Sequence, residues 1–146
     1  MNANGFIGTW HLVAWEAIDE SGEKFFPFGK QAKGYICYAA DGYVSVAIMA
    51  ESRAPVTSEL FYTASVEERA AAATTYLSYA GPYEIFDDKV VHHIEVSLIT
   101  NWVGTQQERF YELRGGRLSL STAPVLAISG GMRRHTLIWE RVAGTE

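Results

Sequence analysis

The side chains best suited to chemistry gather between His92 and Phe110: His92-His93-Ile94-Glu95-Val96-Ser97-Leu98, then Asn101-Trp102-Val103-Gly104, then Gln107-Glu108-Arg109-Phe110. The segment reads as two strands joined by a tight turn. Alternate residues of a strand share a face, so His93, Glu95 and Ser97 lie opposite Ile94, Val96 and Leu98, and Gln107, Arg109 and Tyr111 group on the second strand. A hairpin centred on Trp102 pairs Glu95 with Arg109, Ser97 with Gln107 and His93 with Tyr111. A one-residue slip would set Glu95 against Glu108 and turn every side chain of one strand to the other face. The register that satisfies the charges makes one continuous polar row. On the inner wall of a barrel that row is an acid–base or ligand-anchoring cluster, with His93 titrating near neutrality and Arg109 holding an oxyanion or a carboxylate. On an outer wall it is a solvated face, with Ile94, Val96 and Leu98 in the core, as is usual for half-buried strands. An inward Glu95 needs Arg109 or a proton beside it, because an unpaired buried carboxylate is costly.

Other chemistries find less support. His11 or His135 can approach His93 and Glu95 from the first or last strand, but the adjacent His92-His93 pair lacks the His-x-His spacing that sets two imidazoles on one strand face. No metal site is therefore assigned. There is no Gly-x-Ser-x-Gly turn, phosphate-binding glycine loop or dinucleotide fingerprint, and Cys37 lies mid-strand as a small hydrophobe. No cofactor is expected. The aromatic residues Trp15, Tyr35, Tyr38, Tyr43, Tyr79, Tyr83 and Trp102 suit both barrel packing and the walls of a pocket for a flat ligand. Tyr79 and Tyr83, at the predicted helix exit near a barrel mouth, are the stronger pocket candidates. Asn101 and Trp102 suit turn chemistry or the rim of a site.

These residues must be positioned by strands. Eight strand-like runs lie between turn signals, at Ile7–Ile18, Lys33–Ala39, Tyr43–Met49, Tyr83–Phe86, Val90–Ile99, Thr105–Leu113, Arg117–Thr122 and His135–Val142. Asp41-Gly42 predicts a two-residue hairpin turn, and Asp87-Asp88 and Gly115-Gly116 predict further reversals. Ser65-Val66-Glu67-Glu68 has the form of a capping box, and Val66, Ala70, Ala73 and Leu77 make an apolar stripe at helical spacing. A helix of about three to four turns, ended by Gly81-Pro82, is thus expected between strands 3 and 4. Ala50–Tyr62 is a long loop suited to a lid, and Ala123–Arg134 is a second irregular stretch. Strands in simple order close into an eight-stranded antiparallel up-and-down β-barrel, all-β apart from the one helix, with room for a small ligand.

The 146 residues suit a single domain, 1–146. Hydrophobic content of 48% with 20% charged residues is that of a globular chain, and a net charge of −5 argues against nucleic acid. No run is long and apolar enough for a membrane helix, and Met1–Gly5 has no signal-peptide character. A lone cysteine excludes an internal disulfide, and a cytoplasmic setting is expected.

Gly8-Thr9-Trp10 on the first strand resembles the Gly-x-Trp signature of lipocalins, in which the Trp plugs the barrel base. Further stretches follow in order: Lys33-Gly34-Tyr35, Asp41-Gly42-Tyr43-Val44-Ser45-Val46, Tyr76–Gly81, His92–Ser97, Asn101–Gly104, Leu118–Thr122 and Trp139-Glu140-Arg141. Together they resemble the small bacterial and fungal lipocalin-like domain family over nearly the whole chain. Thr100 departs from that pattern, which commonly has Pro there. The resemblance implies a calycin-type barrel with an internal pocket, and it favours turning the polar row inward. An apolar outer face would then need the helix or a second subunit, in a homodimer, to cover it. Three functions follow as expectations. The first is binding of a small hydrophobic or aromatic molecule, with Tyr43, Tyr79, Tyr83, Ser97, Asn101, Trp102, Gln107 and Tyr111 as ligand-binding residues. The second is a cofactor-free isomerase or cyclase of secondary metabolism, an activity that some related stand-alone lipocalin-like proteins have, with Glu95, His93 and Arg109 catalytic. The third is a structural protein with a filled barrel.

Overall fold

A computed structural model describes residues 5–126 and 131–143. Its strands are β1 (Gly8–Asp19), β2 (Lys24–Phe25), β3 (Lys33–Tyr38), β4 (Tyr43–Met49), β5 (Tyr76–Ile85), β6 (Lys89–His93), β7 (Val96–Ser97), β8 (Gln106–Arg114), β9 (Arg117–Ser121), β10 (Val125–Leu126) and β11 (Met132–Arg141). One α-helix, α1 (Val66–Thr74), lies between β4 and β5. Antiparallel neighbours run β1-β3-β4-β5-β6-β8-β9-β11, and β11 pairs back onto β1 from Trp10↔Arg141 to Asp19↔Arg133. The eight-stranded circuit therefore closes and leaves no long edge. The short β2, β7 and β10 decorate it by pairing with β1, β5 and β11. No helix among the described residues is long and apolar enough to cross a membrane.

Alternation fills the interior. Ile36 and Tyr38 of β3, Val44, Val46 and Ile48 of β4, and Leu118 and Leu120 of β9 are buried, with solvent-facing residues between them. On β1 the inward parity changes at a register shift between Leu12 and Ala14. Trp10 and Leu12 point inward before the bulge and Ala17 after it, while Val13 is exposed. One end of the barrel is plugged. There Trp10 donates to the Phe6 carbonyl, and the Arg141 guanidinium lies 4.2 Å from the indole centroid. The same guanidinium bonds the carbonyls of Ile7 and Gly5 at 2.7 and 2.6 Å.

Several local expectations are corrected. The helix follows β4 because the two-residue β2 adds a strand before it, and it is nine residues long. Ser65 caps it as predicted, accepting from Glu68 N–H at 3.1 Å. The chain from Tyr76 onward is strand instead: Leu77, Tyr79, Gly81 and Tyr83 alternate inward, paired along β4 from Met49↔Tyr76 to Tyr43↔Pro82. Ladder pairing thus overrides the helical spacing of Leu77, and Pro82 lies inside a strand at the end of that ladder. Val66 is exposed, so the predicted apolar stripe is not a packed face. The Asp41-Gly42 reversal is longer than a two-residue primed turn. Gly42 has φ of 95° and its N–H bonds Ala39 O at 3.2 Å, while Asp41 keeps a negative φ. Of the irregular stretch Ala123–Arg134, residues 127–130 lie outside the described residues; Val125–Leu126 pair with Met132 and Arg133.

Candidate functional site

A cavity of about 630 Å³ occupies the end of the barrel opposite the Trp10 plug. Its lining comes from the late parts of β1 and β4 (Trp15, Ile48) and the early parts of β5 and β11 (Tyr76, Leu77, His135), which antiparallel pairing brings to the same end. Phe28, Ile99 and Trp102 add apolar wall, and Ala73 and Thr74 bring the C-terminal end of α1 to the lip. No residue of the 50–62 loop lines the cavity. That loop is fastened to the helix, Arg53 donating to Ala72 O and Thr57 N–H to Glu68. The helix end therefore occupies the position the loop was expected to cover as a lid.

The polar part of the wall comes from β5, β8 and β11, and His92 of β6 lies behind it, bonded to Tyr79. His92 is the one polar residue fully buried among the described residues, at 1% exposure. Its Nε2 lies 2.7 Å from the Tyr38 hydroxyl and its Nδ1 2.7 Å from the Tyr79 hydroxyl. Burial, helped by the charges of Arg109 and His93, pushes the imidazole down to about 3, so it is neutral at ordinary pH. Burial likewise raises both phenols, while Arg109 pulls against that rise at each. Arg109 lines the cavity, its Nη1 3.0 Å from Glu108 O and 3.4 Å from Gln107 Oε1. His135, also lowered by burial first and by Arg109 second, accepts from Trp15 Nε1 at 3.0 Å.

This register is not the one the charges favour. β6 and β8 pair Val90 with Arg109, His92 with Gln107 and His93 with Gln106. The expected pairs have residue numbers summing to 204 (95 and 109) and the observed pairs to 199 (90 and 109), an odd difference that flips one strand relative to the other. Arg109 and Gln107 stay on the cavity wall, and His92 and Ile94 turn inward in place of His93 and Glu95. Glu95 is exposed, its N–H bonding Ala80 O at 2.9 Å, and it makes no ion pair with Arg109. His93 pairs with Glu84 on the outer face at 2.6 Å. The hairpin itself is interrupted: β7 leaves β8 and pairs with β5, placing Ser97 opposite Tyr79.

Of the residues picked as ligand-binding, Tyr79, Trp102 and Gln107 line the cavity. The others lie elsewhere. Tyr43 is exposed, Tyr83 donates to Ala39 O, and Tyr111 packs against Phe6 and donates to Phe86 O. Ser97 accepts from Ile99 N–H, and Asn101 is exposed in a turn. The inward role of His92 went unread because only the strand register reveals it.

Residues 7–142 match the family model described as lipocalin-like domain. The chain belongs to that family. A relative from Aspergillus oryzae, named 4'-hydroxy-3'-methoxypropiophenone carrier protein, is 37% identical over 90 residues, which is 56% of this chain and 81% of the relative. No solved structure gives a significant match. The lipocalin-like barrel seen here, with an apolar cavity at one end and a plug at the other, has the architecture of a small-molecule binder.

Proposed function

We propose that this barrel binds and carries a small, flat aromatic molecule bearing at least one oxygen substituent. The observation that carries this reading is the cavity of about 630 Å³, with aromatic walls at Trp15, Phe28, Tyr76 and Trp102 and one polar corner at Tyr79, Gln107 and Arg109. Ligand pockets run roughly 300–1,000 Å³ and combine apolar walls with a few placed polar groups. Rings stack on such walls, and the corner sets their orientation. The relative's name points to phenolic aryl ketones as the ligand class. Glu95 and His93 lie outside the cavity, so the isomerase or cyclase reading built on them is not carried forward.

Trp15, Trp102 and Trp139 all line the cavity, so indole emission is the direct probe. Titration with 4'-hydroxy-3'-methoxypropiophenone should quench it saturably, and ligand at ~100 times its Kd should stabilise the fold by about 2.7 kcal/mol. A flat titration together with an unmoved melting temperature, for this ketone and for simple acetophenones, would overturn the reading.

A further inference from the structure

The polar corner of the cavity has a definite sense: its spare hydrogen-bonding capacity is to donate. Tyr38 is completely buried, and His92 Nε2 is its hydroxyl's hydrogen-bond partner at 2.7 Å among the described residues. A buried hydroxyl hydrogen needs an acceptor, so Tyr38 donates to Nε2. The neutral imidazole then carries its proton on Nδ1 and donates it to the Tyr79 oxygen, 2.7 Å away. Tyr79 is left with its own hydroxyl hydrogen to give at the cavity wall. His135 follows the same logic. Its Nδ1 accepts from Trp15, which puts the ring proton on Nε2, a donor with no partner among the described residues.

Arg109 brings the charge. Among the described residues no carboxylate lies within ion-pair distance of it, and both interior histidines are neutral. Glu108 is the one acidic residue among those lining the cavity, and its carboxylate is held by Lys89 at 3.1 Å. Gln107 uses its carbonyl on Arg109 and its amide on Thr105. An uncompensated guanidinium among donors, in a mostly apolar cavity, is complementary to a negatively charged oxygen.

We propose that the cavity takes its ligand as an oxyanion on an aromatic ring, a phenolate or a carboxylate, seated against Arg109 with the Tyr79 hydroxyl and His135 Nε2–H as further donors. This rests on the aromatic-ligand reading above and adds the ionisation state. A carbonyl para to a phenol spreads the phenolate charge, so such a ring is readily bound as its anion at a pH where the free phenol keeps its proton.

Three probes on the whole chain test it: 4'-hydroxy-3'-methoxypropiophenone, the same ketone with its ring hydroxyl methylated, and benzoate. Indole quenching reports binding, and ligand absorbance reports ionisation, because the phenolate absorbs at longer wavelength than the phenol. The phenol should bind about tenfold to a hundredfold more tightly than the ether and should show the phenolate band when bound. Arg109→Met should bring the two affinities within about twofold and remove the band, and Tyr79→Phe should reduce the preference by a smaller factor. Benzoate binding that is lost in Arg109→Met, with the phenol bound neutral, would assign the oxyanion to a carboxylate and support the proposal. Equal affinity for phenol and ether, with no phenolate band and no benzoate binding, would overturn it and leave the carrier reading standing. Failure of all three probes to bind would overturn both. If Arg109→Met does not fold, the phenol-to-ether comparison in the native protein decides alone.

Discussion

Burial acts strongly on His92. Its imidazole is neutral in the fold, held down to about 3, whereas in the unfolded chain it titrates near 6.5. The unfolded state therefore binds the extra proton first as pH falls, so stability is full above about pH 6.5 and is lost from there towards pH 3. His135, lowered for the same first reason, adds in the same sense. The lowered carboxyls of Asp19, Glu68 and Glu140 also lose stability in acid, but only below their unfolded range of about pH 4–4.5. Unfolding free energies from urea titrations should therefore decline between about pH 6.5 and 4.5, by an amount on the order of 2 kcal/mol or more, and the decline should be markedly smaller in His92→Gln. A wild-type profile flat across that window would show that His92 is not held neutral. The importance of His92 was not legible in the sequence, where it shares a strand with a second histidine and only parity separates them.

At the scale of elements, two irregularities set which side chains reach the cavity. The bulge at Val13 lets one strand serve both ends of the barrel, with Trp10 at the plug and Trp15 in the cavity wall. The second is the break after His93, where the chain leaves β8 and crosses β5. It approaches so closely that a Cβ on Gly81 would lie 1.7 Å from the His93 carbonyl oxygen and 3.1 Å from Glu95 N. Glycine is required there for space. Gly81→Ala should destabilise by about 3 kcal/mol or more in chemical denaturation, although Gly-to-Ala in an unobstructed strand position is neutral or helpful. An unchanged midpoint would mean that the crossing has another path. The turn signals and the Ser65 cap were readable because they act locally. The start of β5 was not, because Leu77 satisfies a helical and a strand period alike, and pairing with β4 decides between them.

For the whole molecule, closure divides the barrel into a plugged end and a ligand end. Arg141 stacks on Trp10 and ties the carbonyls of Gly5 and Ile7, while the residues lining the cavity include neither Phe6 nor Trp10. Lysine has neither the planar face nor the forked donors for that role. Arg141→Lys should therefore lower stability by about 1–2 kcal/mol while leaving the affinity for the aryl ketone within twofold. A matching loss of affinity would show that the two ends are coupled.

Much of the architecture was present in the chain itself. Alternation, turn residues and the Gly8-Thr9-Trp10 start specify antiparallel strands in simple order, and eight such strands bury their inner faces best by closing. The shared face of Gln107, Arg109 and Tyr111 on β8 was also readable, since alternation groups them whatever strand lies beside them, while its inward direction rested on the family resemblance. The partner set of that face was decided only in three dimensions. Register between β6 and β8 depends on where the chain breaks after His93, on the room Gly81 leaves for the crossing, and on β7 pairing with β5. The sequence offered Glu95 as the partner of Arg109, a favourable local pair. The fold sets Glu95 in solvent, because turning it inward would flip β6 and bring Ile94 and Val90, each at most 1% exposed, out of the core. Burying those two side chains outweighs one ion pair, and Arg109 is left facing the cavity among donors.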